Sequence, residues 1–432
     1  MTTAGTPERW QAALDRAQAS GRLPSIVGGV LRGGELVWTG TAGAVTGIEQ
    51  QYRIGSITKT LTAVLVMQCR DDGLVALDDT LGKHVPESGY RDATLRELLA
   101  HTSGMQAEPV GPWWERSAGV SVPDLIAANN GSGRVLEPGM TFHYSNLGYA
   151  LLGEVVARVL GDDWWSLVRG RLLEPLGMTR TSYDARDPHA QGSSVDHFAG
   201  TRHDEPHEDT RAMAPAGQLW STVGDLARWL DFLATGQPQV LRRASLLEMA
   251  GPVALVAGHQ EGDYGLGLRV LRPAPGHPFG GRGVVGHTGS MPGFLATAFV
   301  DQDSRDGVVA LMNATAGVAT DRLALDLMVG SDPAEQVARW VPSSGVPDTV
   351  AELLGLWYWG NSALELRWHN ELLELRTLAP PALSDRFVVT PDRIVGVEGY
   401  LLGETMHVHR GAGGSVTHLE CATFVYTRHP IR

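Results

Sequence analysis

Lysine is nearly absent from this 432-residue chain: of its 35 basic residues two, Lys59 and Lys83, are lysines and the other 33 are arginines. Arginine stays protonated under all ordinary conditions, whereas a desolvated lysine can shed its proton and serve as a base. A lysine kept in such a chain is a candidate for chemistry. Cysteine is as scarce: Cys69 and Cys421 are the two present, which excludes a disulfide framework. Concentrated positive charge is also missing. With 35 basic against 48 acidic residues the formal charge is −13, and nucleic acid is excluded as a partner. Long apolar runs are missing too. The run beside the motifs, Leu61 to Met67, is far too short to cross a bilayer. The N-terminal segment lacks the apolar core of a secretory signal, and Trp10, Ala13, Leu14 and Ala17 fall instead at helical spacing. A cytoplasmic protein without membrane contact is expected.

What is present suits a globular enzyme: 43% hydrophobic and 19% charged residues, on a chain long enough for two or three domains. Residues 24–40 predict two short strands joined at Arg32-Gly33-Gly34. The segment from Ser56 to Asp72 predicts a helix stopped by Gly73 and apolar on nearly every face, hence buried. Residues 94–100, 146–160 and 223–234 continue the helical pattern. From about 264 the period shortens to that of an antiparallel meander, and helix returns after Val318. Strand pair, helical middle, meander and helix make an α+β layout in which the two ends of the domain build one sheet. A short helix tail and a Pro/Ser/Gly linker at roughly 331–349 separate domain 1–335 from a small all-β domain, 350–432. There Leu364, Leu366 and Trp368 alternate on one face, and His369-Asn370 is the expected hairpin turn.

Three short motifs carry the chemistry. Ser56-Ile57-Thr58-Lys59 opens the buried helix. Residues three apart share a helical face, so the Lys59 amine reaches the Ser56 hydroxyl, and burial depresses its pKa. Tyr144-Ser145-Asn146 precedes the helix at 146–160. A phenol near a cation can act as phenolate and shuttle a proton, and an amide can hold both the lysine amine and a substrate carbonyl. His287-Thr288-Gly289-Ser290 falls in a predicted strand, where small residues admit a substrate backbone and where Ser290 N–H can join Ser56 N–H in an oxyanion hole. No G-x-S-x-G pentapeptide and no P-loop occur. His197, His203 and His207 lie in a polar stretch whose irregular spacing favours a solvated loop, so no metal and no cofactor are expected.

Nucleophile first, tyrosine in the middle and strand motif late, these three resemble the signature of serine β-lactamases, penicillin-binding proteins and related esterases: S-x-x-K, then Y-x-N or S-D-N, then K-T-G. The Tyr-x-Asn form, the stretch LRELLAHTSGM at 95–105 and APAGQLWSTVGDLARWL at 214–230 resemble the class C-like branch. The resemblance spans residues of about 10–330. It implies a β-lactamase-like antiparallel sheet flanked by helices plus a helical subdomain. It makes Ser56 the acylated nucleophile, gives Lys59 and Tyr144 the proton transfers, and has Asn146 orient them. Residues 350–432 resemble the lipocalin-like domain of several relatives.

The chain departs from that pattern at His287, where β-lactamases and DD-peptidases commonly carry lysine. A lysine there is a permanent cation for a substrate carboxylate, and histidine is not. Antibiotic hydrolysis is therefore disfavoured against an esterase or D-amino-acid peptidase. A penicillin-binding-protein-type thioesterase that cyclises or releases a peptide is the alternative, and a non-catalytic scaffold or sensor the second. The expected partner is a small molecule or peptide, carrier-bound in the thioesterase case. Trp113 and Trp114, in a Gly/Pro/Ser loop, are candidates for a pocket wall, while the pair Trp164-Trp165 reads as a core anchor.

Overall fold

The computed structural model describes residues 5–45, 47–139, 141–255, 263–274, 277, 280–281, 283–334 and 337–431. The chain forms two compact units, Met1–Ser193 with Asp204–Trp340, and Ser194–His203 with Val341–Arg432.

The first unit is built on an antiparallel sheet whose eight strands run, in spatial order, Glu35–Gly43, Ser25–Arg32, Gly307–Met312, Phe294–Asp301, Val284–Met291, Arg269–Leu271, Asp263–Tyr264 and Ala254–Leu255. Strands from the start and the end of the unit therefore lie side by side. Gly33 and Gly34, at φ +57° and +88°, make the tight turn between the first two strands. Alternate side chains of Ser25–Arg32 serve two cores: Ile26 and Val30 pack toward one face, Val27 and Leu31 toward the other. On the first face lie helices Pro7–Gly21, which buries Trp10, Ala13, Leu14 and Ala17, and Thr320–Val329. The second face carries the larger core, with helices Thr58–Asp71, Asn146–Leu160 and Val223–Thr235. Covered on both sides, the middle strand Phe294–Asp301 is buried at every position.

Helix Thr58–Asp71 is the centre of that larger core, with Thr58 through Cys69 all buried. Gly73, at φ +72°, ends it as the stop residue. Leu95–Leu99 starts at a complete capping box between Thr94 and Glu97, and Asn146–Leu160 is capped by Ser145. Trp164 is buried and donates from Nε1 to Thr62 Oγ1 at 3.1 Å, as a core anchor should.

In the second unit eight strands between Gly355 and Thr427 pair in chain order and close on themselves as an antiparallel barrel. Leu364, Leu366, Leu373, Leu375, Phe387 and Leu419 fill its interior. On the outer face Glu365 and Glu374 are also buried, paired across strands with Arg376, Arg367 and Arg386. The excursion Ser194–His203 belongs to this unit: Trp368 N–H donates to the Phe198 carbonyl at 2.7 Å.

Two local expectations are corrected. Helix ends at Val329, and the described residues of 330–347 contain none: Gly330, at φ +78°, terminates the preceding helix. The hairpin turn is Asn370-Glu371 rather than His369-Asn370, because His369 pairs with Leu372 and continues the strand. Both turn residues have positive φ, +50° and +60°, as a two-residue hairpin of this hand requires. Glutamate has no ease in that region. Glu371→Gly is therefore expected to stabilise the barrel by about 0.5–1 kcal/mol, read as a higher urea midpoint of the barrel transition.

Candidate active site

A single 3₁₀ turn, Gly55–Ile57, runs directly into helix Thr58–Asp71, so Ser56 stands at the helix entrance with Lys59 one turn further in. Lys59 is completely buried. Its Nζ lies 2.9 Å from Ser56 Oγ and donates to the Ala216 carbonyl at 2.6 Å. Burial pulls the amine down to about 7, while the carboxylates of Glu108 and Glu115 hold it up from falling further. At neutral pH much of Lys59 is thus a free amine facing a hydroxyl.

Tyr144 lies over this pair, its ring centre 5.0 Å from Lys59 Nζ. The ring is half-buried, but the hydroxyl is shielded from solvent and completes no well-formed hydrogen bond. Burial drives its pKa up, and the neighbouring Ser56 hydroxyl is the strongest influence in the other direction. The resting side chain is the neutral phenol, and the phenolate expected from sequence is disfavoured by desolvation. His101 stacks on Tyr144 with ring centres 4.1 Å apart, and its Nδ1 accepts the Ser145 N–H at 3.0 Å. It thereby fixes both the ring and the backbone of the middle motif.

The third motif lies in strand Val284–Met291. Pairing with Arg269–Leu271 stops at Gly286, so residues 287–291 present an edge without a strand partner on that side among the described residues. Met291 and Phe294 close a two-residue hairpin, and ladder alternation then turns Ser290 N–H away from the neighbouring strand. That N–H meets the turn carrying Ser56. A Cβ at Gly55, whose φ is +51°, would lie 2.6 Å from Ser290 N, and one at Gly289 would lie 1.9 Å from the Ile54 carbonyl oxygen. Two glycines therefore permit the strand to touch the turn that carries Ser56.

His287 is buried, with Nδ1 against the Thr288 carbonyl and Nε2 3.1 Å from the Tyr264 hydroxyl. The Thr288 carbonyl can only accept, so Nδ1 donates to it; burial, with Arg269 nearby, pushes the imidazole pKa well down, which favours the neutral ring with Nε2 accepting from Tyr264. Arg269 donates to Thr288 Oγ1 at 2.8 Å, but its guanidinium is also held by both oxygens of Asp321. Arg269, the cation beside the strand motif, is thus compensated by Asp321.

These groups line one cavity of about 380 Å³, which holds Ser56, Tyr144, Asn146, His287, Thr288, Gly289 and Ser290 together. The expected role of Asn146 is corrected. Its Nδ2 donates to Glu108 Oε1 at 2.7 Å, and the second partner of Lys59 is a carbonyl oxygen. The acceptor Glu108 captures the amide because a carboxylate is the stronger partner. The tryptophans are corrected as well. The aromatic lining is Phe142, Tyr144 and Tyr264; Trp114 is buried with Nε1 on Glu108 Oε2 at 2.6 Å, and Trp113 is exposed with Nε1 on Glu115. Both act on the site by aiming a carboxylate. His197, His203 and His207 do not converge: they contact Glu365, Thr201 and the Gly192 N–H respectively. Glu108, Glu115, Tyr264 and Arg269 carried no local signal, whereas His101 and Ala216 lie in stretches already singled out by resemblance.

Two outcomes follow from this packing. Between pH 7 and the ordinary lysine range the unfolded chain binds a proton that the folded one does not, so stability rises with pH across that window. Lys59→Met removes the penalty but orphans the Ala216 carbonyl, and a net gain of roughly 1–3 kcal/mol at pH 7 is expected from urea denaturation of the first unit. Gly289→Ala must push the strand away from Ile54, and phosphonylation of Ser56 by a fluorophosphonate, followed by intact mass, should slow about 100-fold.

Residues 10–329 match the family model described as Beta-lactamase, and residues 346–428 match a domain of unknown function, DUF7586. The chain is 29% identical over 260 residues to Beta-lactamase-like protein 2 of Dictyostelium discoideum, covering 54% of this chain and 46% of that protein. It thus spans about half the length of that relative. A D-stereospecific amidohydrolase from Streptomyces sp. superposes with TM-score 0.64 at 27% identity, over 74% of this chain and 98% of that one. The crystal structure of SurE with D-Leu superposes with TM-score 0.59 at 25% identity, over 98% and 99%. With the family model matched across well over half of its length, and with a serine backed by a buried amine and a bare strand edge on one cavity, the chain belongs to the beta-lactamase family.

Proposed function

We propose that this protein is a serine amidohydrolase that acts through an acyl-enzyme on amides and esters of D-amino acids bearing a free amino group. The observation that carries the reading is the fully buried Lys59 amine 2.9 Å from Ser56 Oγ, beside a cavity bounded by an open strand edge; burial pulls that amine down to about 7.

Lys59 takes the proton from Ser56 as Oγ attacks the carbonyl carbon. The charge on the carbonyl oxygen is met by the N–H groups of Ser56 and Ser290. When the C–N bond breaks, the proton returns to the leaving amine through Lys59 and the Tyr144 phenol, leaving an ester on Ser56. A water molecule repeats the sequence and frees the acid. Asn146 and Glu108 hold the mouth of the cavity, and Thr288 and Gly289 run alongside the substrate backbone.

Charge selects the substrate. A carboxylate finds His287 neutral and Arg269 already neutralised by Asp321. An ammonium finds Glu108 and Glu115, both on the cavity wall. This favours an amino-terminal substrate end over the carboxylate of a β-lactam or a cell-wall peptide. The preference for D-residues rests on similarity to the amidohydrolase and to SurE with D-Leu.

The test is hydrolysis of D-phenylalanine p-nitroanilide, its L-enantiomer, its N-acetyl derivative and nitrocefin, with intact mass recorded during turnover. The D-substrate should be preferred over the L by at least about tenfold, and acetylation should lower kcat/KM by a similar factor. The kcat/KM profile should rise with pH through about 7 as Lys59 loses its proton. Ser56→Ala should show neither turnover nor adduct. Nitrocefin as the best substrate, or no adduct from any of the four, would refute the proposal.

A further inference from the structure

A second cluster of metal-ligating side chains lies on the barrel, outside the cavity of Ser56. His407 and His409 are two apart on strand Thr405–Arg410, and His418 and Glu420 are two apart on Val416–Cys421. The register pairs His407 with Glu420 and His409 with His418, so all four share one face. Met406, Leu419 and Cys421 turn to the barrel core, so this face is the outer one. A bulge between His409 and Arg410 re-aims the strand at this point.

The ligand atoms of His409, His418 and Glu420 lie within 4.8 Å of one another. The two imidazoles stack with centres 4.2 Å apart and planes 5° from parallel. The stacking holds the two rings side by side, so their ring nitrogens lie close enough to face one ion. His409 Nε2 is shielded from solvent and makes no hydrogen bond, although Glu420 Oε2 is only 3.1 Å away. A cation placed between His409 Nε2 and Glu420 Oε2 would take both as ligands.

We propose that His409, His418 and Glu420 bind a divalent zinc-class metal ion on the outer face of the barrel, with water in the fourth position. Two imidazoles and one carboxylate form a borderline donor set suited to a tetrahedral zinc ion. All three side chains are only partly buried, so small rotations bring their ligand atoms to the spacing that metal–ligand bonds of about 2.1 Å demand. An ion there would pin the two strands beside their bulge.

The chain has 15 histidines, so the experiment must separate this site from the others. Tag-free full-length protein, stripped with EDTA, is titrated with ZnCl₂ at pH 7.5 by calorimetry, and cobalt(II) absorption reports coordination. One zinc per chain is expected at micromolar affinity, together with tetrahedral cobalt bands. His409→Ala/His418→Ala should lose both signals with an unchanged circular dichroism spectrum. Glu420→Gln, which keeps shape and volume, should weaken zinc about tenfold. Equal binding by wild type and the double variant, or no binding by wild type, would overturn the proposal.

Discussion

The rest of the structure depends on one amine being kept out of water. Lys59 has no carboxylate in contact with it; its partners are a serine hydroxyl, a backbone carbonyl and the faces of Tyr144 and Tyr149, whose ring centres lie 5.0 and 5.7 Å away. Coulomb attraction from Glu108 and Glu115 opposes desolvation and loses to it, since the amine still settles near 7. The surrounding core makes that outcome possible. A helix buried from Thr58 to Cys69 needs partners on all sides, and Asn146–Leu160, Ala214–Gly217 and the sheet supply them. The same partners deliver Tyr144 and the Ala216 carbonyl. Packing and chemistry are therefore set by the same contacts.

How much of this was legible in the sequence follows the range of the interactions. Ser56 and Lys59 are related by one helical turn, and the local period fixes their geometry. The strand from Val284 and the turn at Gly33-Gly34 also announce themselves locally, through β-rich composition and positive-φ residues. What sequence leaves open is decided by contacts between distant segments. Asn146 meets Glu108 only because the loop after His101 folds back over the helix start, and nothing in the spacing of either residue says so. Arg269 and Asp321 find each other across the strand-to-helix return. The excursion Ser194–His203 clusters with the barrel through backbone bonds such as Trp368 to Phe198, which carry no side-chain signature.

The misplaced tryptophans teach the same lesson at shorter range. Trp113 and Trp114 are adjacent in a loop, yet one is 58% exposed and the other 8%. A loop tryptophan suggests a pocket wall because its surface is large and amphipathic. Here the polar end decides: each indole N–H takes a carboxylate, and the carboxylates form the wall. An aromatic pair read for its surface proves to matter for its hydrogen bonds.

The histidine at position 287 is the point where fold and specificity separate. A lysine in that strand would offer a permanent cation to the cavity, and Arg269 alone cannot replace it, since both its forks rest on Asp321 and Thr288. Freeing the guanidinium would strand the Asp321 carboxylate, so the pair resists reassignment to a ligand. His287 is turned inward, neutral, and tied to Tyr264. The fold is that of the family, and the charge around this strand position is set by its neighbours: Tyr264 on His287, and Asp321 on Arg269.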